Sequence, residues 1–365
     1  MKMLFLTDGL APFVIGGVQQ HSTMMVKHLA PLVDEMTIMH CGYPNESPPS
    51  DIEVLEVIGS PLNVNLIRIT FTDTSSFTGH YLRASKEYSF NLYDAVSDNI
   101  SYFDIIYAQG LTGYAFLGKH ENLISNLHGL NMFQTSFSLW GFMEKMILRK
   151  LARIILLNSS RVISLGGSLT ETLHRVGIDD ERIIVSPNGI DNQWILDSYI
   201  ANEGDICFVF IGRNDTMKGF PILLEALRKS NVRVSLKVIG PWPEIEISIH
   251  NLTYYGEIKS KERVFEIIDD SDVLLVPSLS EGMPTVILEA LARGKAVIAT
   301  DVGAVSDLVS DKNGVLIAPG SVEALTQAIE KMHQNDLENT FTASTDLAKK
   351  HVWQKVAKNL LKEFI

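Results

Sequence analysis

The strongest constraint on this chain is an alternation that runs through it twice: a short apolar run, then a loop, then a stretch of helical periodicity. The first series opens with Met3–Leu6, a loop holding Gly9, Pro12, Gly16 and Gly17, and a helical stretch from about Val18 to Leu32. Strand-like runs follow at Glu35–His40, Asp104–Ala108, Asn122–Leu127 and Arg161–Ser164. The second series places strands at Ile206–Ile211, Ser235–Ile239, Leu252–Tyr255, Val273–Val276, Ala296–Thr300 and Gly314–Ile317. Helices fit between them at Pro221–Lys229, Ser260–Asp269, Pro284–Arg293 and Val322–His333. Strands that are apolar along their whole length are buried on both faces, and strands that alternate with helices pair in parallel beneath them. The expectation is an α/β chain with two parallel sheets, one per domain.

Length agrees, since 365 residues make about two domains at ~150 residues each. The polar stretch Ile190–Gly204 separates the two series, so the first domain is expected over residues 1–195 and the second over 196–345. The segment His351 to Phe364 reads as a last amphipathic helix with Val352, Val356, Leu360, Leu361 and Phe364 on one stripe. No strand follows it, so it either caps the second domain or crosses back to the first.

Charge and cysteine content narrow the function. Residues 1–195 hold 13 Lys/Arg against 19 Asp/Glu, and the rest hold 18 against 24, so neither half is basic. That argues against nucleic acid as a partner. Cys41 and Cys207 have no metal or redox spacing and are expected as reduced thiols. The apolar run Met3–Leu6 is too short for a signal-peptide core, and no stretch is long enough to span a bilayer, so the chemistry is expected to face the cytoplasm.

The residues with most chemical content lie in the second series. Pro277–Ala290 reads Pro-Ser-Leu-Ser-Glu-Gly-Met-Pro-Thr-Val-Ile-Leu-Glu-Ala, directly after the strand Val273–Val276. Ligands of open α/β sheets bind at the carboxyl ends of strands. Pro284 suits the first helical turn and Gly294 the end of that helix, whose first amides then face an anion such as a diphosphate. Glu281 sits before this helix and Glu289 within it; taken alone, the pair reads slightly better as two surface glutamates. Phe210–Gly219 follows the first strand of the second series and carries Arg213 and Lys218. Two cations there can clamp a diphosphate and stabilise it as it leaves, although most loop cations are merely solvated. In the first series, Gly16-Gly17 lets backbone approach a phosphate but is not a dinucleotide fingerprint. His128-Gly129 ends the strand Asn122–Leu127. Asp270-Ser271-Asp272 precedes a strand rather than following one, so it reads as turn chemistry, and no metal is implied.

Taken in order, these motifs resemble the family-4 retaining glycosyltransferases. The resemblance rests on Gly16-Gly17, His128-Gly129, Ser186-Pro187-Asn188-Gly189-Ile190-Asp191, Gly212-Arg213 through Lys218-Gly219, the Glu281 to Glu289 block, Ala292 to Ala299 and Asn313-Gly314. It implies a GT-B fold: two Rossmann-like domains whose parallel sheets face a central cleft, with residues 346–365 crossing back to the first domain as a C-terminal helix. It implies a nucleotide diphosphate sugar, UDP- or GDP-linked, as donor and a glycan or lipid-linked acceptor, with no cofactor. By this resemblance Arg213 and Lys218 hold the diphosphate. Glu281, Gly282, Met283 and Pro284 meet the transferred sugar. Thr285 and Val286 offer amides to phosphate, Glu289 binds the ribose, and Ile258 lies beside the base. Gly16 and Gly17 approach the same phosphates, and His128 is the active-site histidine. The chain departs from the pattern at Ser160 and at Leu165-Gly166-Gly167-Ser168, which puts the local hinge geometry in question.

Retention without an evident nucleophile implies attack on the face that the leaving group departs from, with domain closure excluding water. A nucleotide-sugar epimerase of the same fold and a non-catalytic nucleotide-sugar binding protein are the alternatives. Met132 to Arg153 is a candidate for peripheral membrane contact: Phe133, Phe137, Trp140, Met143, Ile147 and Leu151 share a face, among Lys145, Arg149, Lys150 and Arg153. The same stripe fits the core of the first domain, which its periodicity favours.

Overall fold

The computed structural model describes residues 1–42, 48–71, 80–134, 139–199, 205–244, 251–332 and 337–365. The chain divides into two compact units. The first holds Met1–Leu165, Leu169–Pro187 and Trp353–Ile365; the second holds Gly166–Ser168 and Asn188–Val352. The main chain thus enters the second unit at Asn188, ahead of the polar stretch expected to divide the domains.

In the first unit, strands β1 (Lys2–Leu6), β2 (Glu35–Gly42), β3 (Val64–Thr70), β4 (Ile105–Gln109), β5 (Leu123–Asn126), β6 (Arg161–Ser164) and β7 (Ile183–Val185) form one sheet in the order β3-β2-β1-β4-β5-β6-β7. Every pairing is parallel, with Phe5 opposite Ile38 on one side and Tyr107 on the other. Helices α1 (Gly17–Leu29), α2 (Asp51–Val57), α3 (His80–Asp94), α4 (Leu139–Asn158) and α5 (Ser168–Val176) connect the strands. The central strands β1, β4 and β5 are buried almost throughout, as their unbroken apolar character requires. The sequence pattern missed β3 and β7. Both are edge strands: β3 interleaves Asn65 and Arg68 with apolar residues and is only half-buried, and β7 has three residues.

In the second unit, β8 (Cys207–Ile211), β9 (Ser235–Ile239), β10 (Asn251–Gly256), β11 (Val273–Val276), β12 (Ala296–Thr300) and β13 (Gly314–Ile317) form a second parallel sheet, ordered β10-β9-β8-β11-β12-β13. Its helices are α6 (Phe220–Lys229), α7 (Lys261–Asp269), α8 (Thr285–Ala292), α9 (Val322–Met332) and α10 (Glu338–Lys350). The expected helices appear at nearly the expected places, and His333 lies outside the described residues. Pro284 is the N-cap of α8, not a residue of its first turn. Helix α10 was missed because its buried residues are Ser344, Thr345 and Ala348, small side chains that leave no apolar stripe to read.

The last helix, α11 (Trp353–Phe364), belongs to the first unit and packs on α1. Trp353, Val356, Ala357, Leu360 and Phe364 are buried in the same cluster as Phe5, Met25 and Tyr107. Arg161 donates to the carbonyls of Glu363 and Phe364 and so satisfies the end of the helix.

Helix α4 corrects the sequence reading of its faces. Leu151, Ala152, Ile155 and Leu156 are buried, whereas Met146, Ile147, Lys150, Arg153, Ile154 and Leu157 form the exposed face. Ile147 therefore points to solvent and Leu151 inward, although one stripe was expected to hold both. Phe137 and the side chains of Trp140 and Met143 lie outside the described residues. No helix among the described residues is long and apolar enough to cross a membrane.

Candidate active site

The second sheet reverses direction between β8 and β11. Strand order runs outward from this pair on both sides, which makes their carboxyl ends the switch point where open α/β sheets bind ligands. The two loops there are Gly212–Gly219 and Pro277–Pro284, the segments singled out from sequence. Their strands are fixed by the register Val273–Phe208 and Leu275–Phe210. Buried Val and Leu side chains contribute about 1.5–3 kcal/mol each, so β11, with all four residues buried, is a stiff base for the loop that follows it.

Glycine brings the two loops together. Gly219 adopts φ +71°, and a Cβ there would sit 1.9 Å from the Pro277 carbonyl oxygen. Only glycine meets both demands. The Leu279 amide donates to the Met217 carbonyl at 2.8 Å, and Asp215 caps the turn by accepting from the Met217 amide at 2.9 Å. The result delivers the Lys218 ammonium to Glu281, with Nζ 2.7 Å from Oε1. Ser278 Oγ donates to the same oxygen at 2.7 Å. Glu281 is 9% exposed and Ser278 1%, so this charge-assisted contact is largely shielded from water. Arg213 is exposed.

A third loop supports Glu281 from behind. Gly303, after β12, has φ +61°, and a Cβ on it would meet the carbonyl oxygens of Glu281 and Gly282 at 2.3 Å. The Ala304 amide donates to the Gly282 carbonyl at 2.7 Å, and Asn188 Nδ2 donates to the Met283 carbonyl at 2.7 Å. Thr300 Oγ1 donates to the Ser278 carbonyl. The segment Gly166–Ser168, one of the departures from the family pattern, lies on this loop: Ser168 donates to the Gly303 carbonyl through both its amide and its hydroxyl.

Helix α8 begins without a side-chain cap. The amides of Thr285 and Val286, in its first turn, therefore have no intrahelical acceptor and carry the positive end of the helix dipole. One turn on, Glu289 accepts from the Thr285 side chain. The residue as a whole is half-buried, yet enough protein surrounds its carboxyl that burial pushes its pKa up to about 7, against the opposing pull of Lys261 and the Thr285 hydrogen bond. Ile258 is half-buried just beyond β10.

In the first unit, Gly16 is the N-cap of α1 and Gly17 its first residue, at the carboxyl end of central β1. His128 follows β5 in a left-handed conformation at φ +58°, and Leu130 takes φ +48° two residues later. Among the described residues these are two of only three non-glycine residues with positive φ, and such strain, about 1–3 kcal/mol each, gathers at functional sites. The His128 amide is held by Asn126 Oδ1 at 2.9 Å, while its Nε2 is buried without a partner. Burial, and secondarily the electrostatic influence of the neighbouring His21, hold its pKa well below the usual histidine value, so the ring is neutral.

The DxD segment lies at the opposite, amino-terminal edge of the second sheet. Asp272 accepts from the Cys207 amide at 2.8 Å, and Ser271 is fully buried. It is a structural joint rather than a solvated turn. Sequence reasoning gave no role to Ser278, Thr300, Asn188 or Gly303. Asn188 and Ser278 stood in quoted motifs, and Ser278 meets Glu281 only three residues on; Thr300 and Gly303 make contacts across the chain that no local pattern announces.

A cation beside a carboxylate and an uncapped helix start, both at the switch point of the sheet, are suited to an anionic ligand that also bears hydroxyls. Across the whole chain the fold is that of the GT-B glycosyltransferases: Anabaena HepE in complex with UDP-glucose superposes with a TM-score of 0.67 over 99% of this chain and 98% of its own, at 17% identity. Residues 15–194 match the family model described as Glycosyltransferase Family 4, and residues 205–335 the model described as Glycosyl transferases group 1. The chain belongs to these group 1, family 4 glycosyltransferases. Among curated relatives, a Bacillus subtilis glycosyltransferase named for teichuronic acid biosynthesis, TuaC, is 33% identical over 41% of this chain and 42% of its own length. The GPI3 subunit of a Saccharomyces cerevisiae phosphatidylinositol N-acetylglucosaminyltransferase is 26% identical over 67% of this chain and 60% of its own. The chain spans about half the length of the curated relatives it matches.

Proposed function

We propose that the protein is a retaining, metal-independent glycosyltransferase that moves a hexose from a UDP- or GDP-linked diphosphate onto a glycan or lipid-linked acceptor, in cell-surface polysaccharide synthesis. The observation that carries this reading is the Lys218–Glu281 pair beside the uncapped start of α8, at the switch point of the second sheet. Lys218 and Arg213 are assigned to the diphosphate with the amides of Thr285 and Val286, Glu281 and residues 282–284 to the sugar, Glu289 to the ribose and Ile258 to the base. Gly16 and Gly17 are assigned to phosphate, and His128 to the transferred sugar. The UDP-glucose held by HepE supports the donor class, and the name of TuaC supports the polysaccharide setting.

In the reaction the anomeric C–O bond to the diphosphate breaks and the acceptor oxygen bonds the same face of that carbon. The acceptor proton passes to the departing phosphate oxygen. Lys218, Arg213 and the helix start stabilise the charge that gathers on the diphosphate. A neutral His128 can accept a hydrogen bond from a sugar hydroxyl through Nε2. Among the described residues no three His, Cys, Asp or Glu side chains gather closely enough to hold a metal ion.

Peripheral membrane contact is the second part of the proposal, and the exposed face of α4 favours it. Met146, Ile147, Ile154 and Leu157 stand in solvent with Lys150 and Arg153 among them. From Asn122 to Thr170 the chain has one acidic residue, Glu144, against five basic ones, in a protein of net charge -12. Such a face suits an anionic bilayer carrying a lipid-linked acceptor, and the lipid named in the GPI3 relative's title supports that acceptor class.

Calorimetry against a panel of UDP- and GDP-hexoses, followed by transfer assays with the donor it selects, tests the core of the proposal. Binding of one donor and transfer with retained anomeric configuration, unchanged by a chelator, is the expected outcome. Interconversion of sugar isomers without acceptor indicates an epimerase, and binding without turnover on any acceptor a binding protein. Activity lost in chelator and restored by manganese or magnesium refutes metal independence.

A further inference from the structure

His128 carries the role assigned above on a ring whose Nε2 has no protein partner. Something other than a hydrogen bond at Nε2 must fix the ring's orientation, and the contacts that do so lead to one element, the terminal helix α11.

The first arm is a chain of rings. His21, on α1, meets the His128 imidazole edge to face, with centroids 4.8 Å apart and planes at 83°. Trp353, the first residue of α11, meets His21 in the same manner at 5.3 Å and 74°. Both are buried, His21 at 3% and Trp353 at 4% exposure. Aromatic rings prefer this geometry, and it orients a ring as well as filling space. The second arm holds the backbone. Asn126 Oδ1 accepts from the His128 amide at 2.9 Å, and Asn126 Nδ2 donates to Tyr107 Oη at 3.4 Å. The Tyr107 ring packs edge to face on Phe364, at the other end of α11, with centroids 5.5 Å apart. The two ends of one helix therefore bear on one histidine, through Trp353–His21 on its ring and through Phe364–Tyr107–Asn126 on its main chain. On α1, His21 is buried together with Ser22, Thr23, Met24, Met25, Val26 and Leu29, and it is the residue there whose ring meets His128.

We infer that His21 and Trp353 are positioning residues: the terminal helix, through them, sets the ring angle at which His128 Nε2 meets the transferred sugar. The inference rests on the role proposed for His128. It accounts for a feature of the chain order, that the last helix returns to the first unit rather than capping the second.

The test uses the full chain with His21→Ala, His21→Phe, Trp353→Phe, Trp353→Leu and His128→Ala. Transfer is measured with the nucleotide hexose the donor panel selects, UDP and GDP binding by calorimetry, and the His128 ring signals by NMR of histidine-labelled protein. His21→Ala and Trp353→Leu should lower kcat about tenfold or more, since small misplacements of a reacting group are costly. Nucleoside diphosphate binding should stay within about twofold, because no sugar is present to meet the ring. His21→Phe and Trp353→Phe keep an aromatic edge and should restore most of kcat, while the His128 signals shift in His21→Ala and much less in His21→Phe. These conservative variants also guard against a failure to fold, which melting curves report. Full kcat and unmoved His128 signals in His21→Ala overturn the inference. So does a His21→Phe protein that binds UDP or GDP normally yet is as slow as His21→Ala. Full transfer by His128→Ala instead removes the role of His128 itself, a separate failure that the NMR arm distinguishes.

Discussion

The Lys218–Glu281 contact can be measured apart from any substrate, through Lys218→Met, Glu281→Gln and the double variant. The Nζ–Oε1 distance of 2.7 Å lies at the short end of charge-assisted contacts. A hydrogen bond to a charged group contributes about 1.5–3 kcal/mol. The side chains differ in exposure, Lys218 at 24% and Glu281 at 10%, and that difference sets the order of the single variants. Glu281→Gln leaves an ammonium that water reaches, so it should cost about 1 kcal/mol. Lys218→Met leaves a shielded carboxylate with Ser278 beside it, and should cost about 2–3 kcal/mol. The coupling in the cycle should be about 1–2 kcal/mol. A chain with two units need not unfold in one transition, so the quantity to follow is hydrogen exchange at amides of the second unit, the Leu279 amide among them. Coupling below about 0.5 kcal/mol, or Glu281→Gln costing more than Lys218→Met, would refute the assignment of this pair as a shielded, preorganised contact.

The two glutamates should also fail differently in catalysis. Glu281→Ala should lower kcat by about ten- to a hundredfold, because contacts to the reacting sugar strengthen as charge develops, whereas Glu289→Ala should mainly raise donor KM; steady-state kinetics with the reverse pattern would exchange their roles. The Glu289 carboxyl titrates at about 7 when folded, against 4.5 for an ordinary glutamate. The stability associated with its protonated form is therefore present below about 4.5 and lost as pH rises through about 7. Ionised, it is the better acceptor for ribose hydroxyls, so affinity for a nucleotide sugar, whose diphosphate does not titrate near neutrality, should rise through that range; a slope that persists in Glu289→Gln refutes this. Arg182 donates to the carbonyls of Leu156, Leu157, Ser159 and Ser160 at the end of α4, so Arg182→Met should destabilise the first unit by about 1.5–3 kcal/mol, read by exchange at the amides of β6. Flotation with anionic vesicles at low salt should recover the protein and lose it when Ile147 and Ile154 become Asp; no flotation of the unaltered protein removes the membrane reading of α4.

The sequence by itself determined the central strands of both sheets and the loops on which the candidate site residues lie. Unbroken apolar runs such as Val273–Val276 and Ala296–Thr300 have no other stable use than strands covered on both faces, and the loops after them must lie at one edge of the sheet. That placed the loops carrying Lys218 and Glu281 at the same edge of the second sheet. Edge strands β3 and β7 and the small-residue helix α10 were not legible, because their burial is partial or falls on side chains with no apolar signature. The faces of α4 were misjudged for a related reason: apolar residues lie on both its buried and its exposed sides, so periodicity could not choose between them. Tertiary structure alone decided which oxygen Lys218 meets, since that depends on Gly219 lying against the Pro277 carbonyl and Gly303 against those of Glu281 and Gly282. It alone joined Trp353 to His21 and His128. Periodicity reports which way a side chain faces within its own element; contacts between residues hundreds of positions apart are set by how the elements pack, which no local pattern encodes.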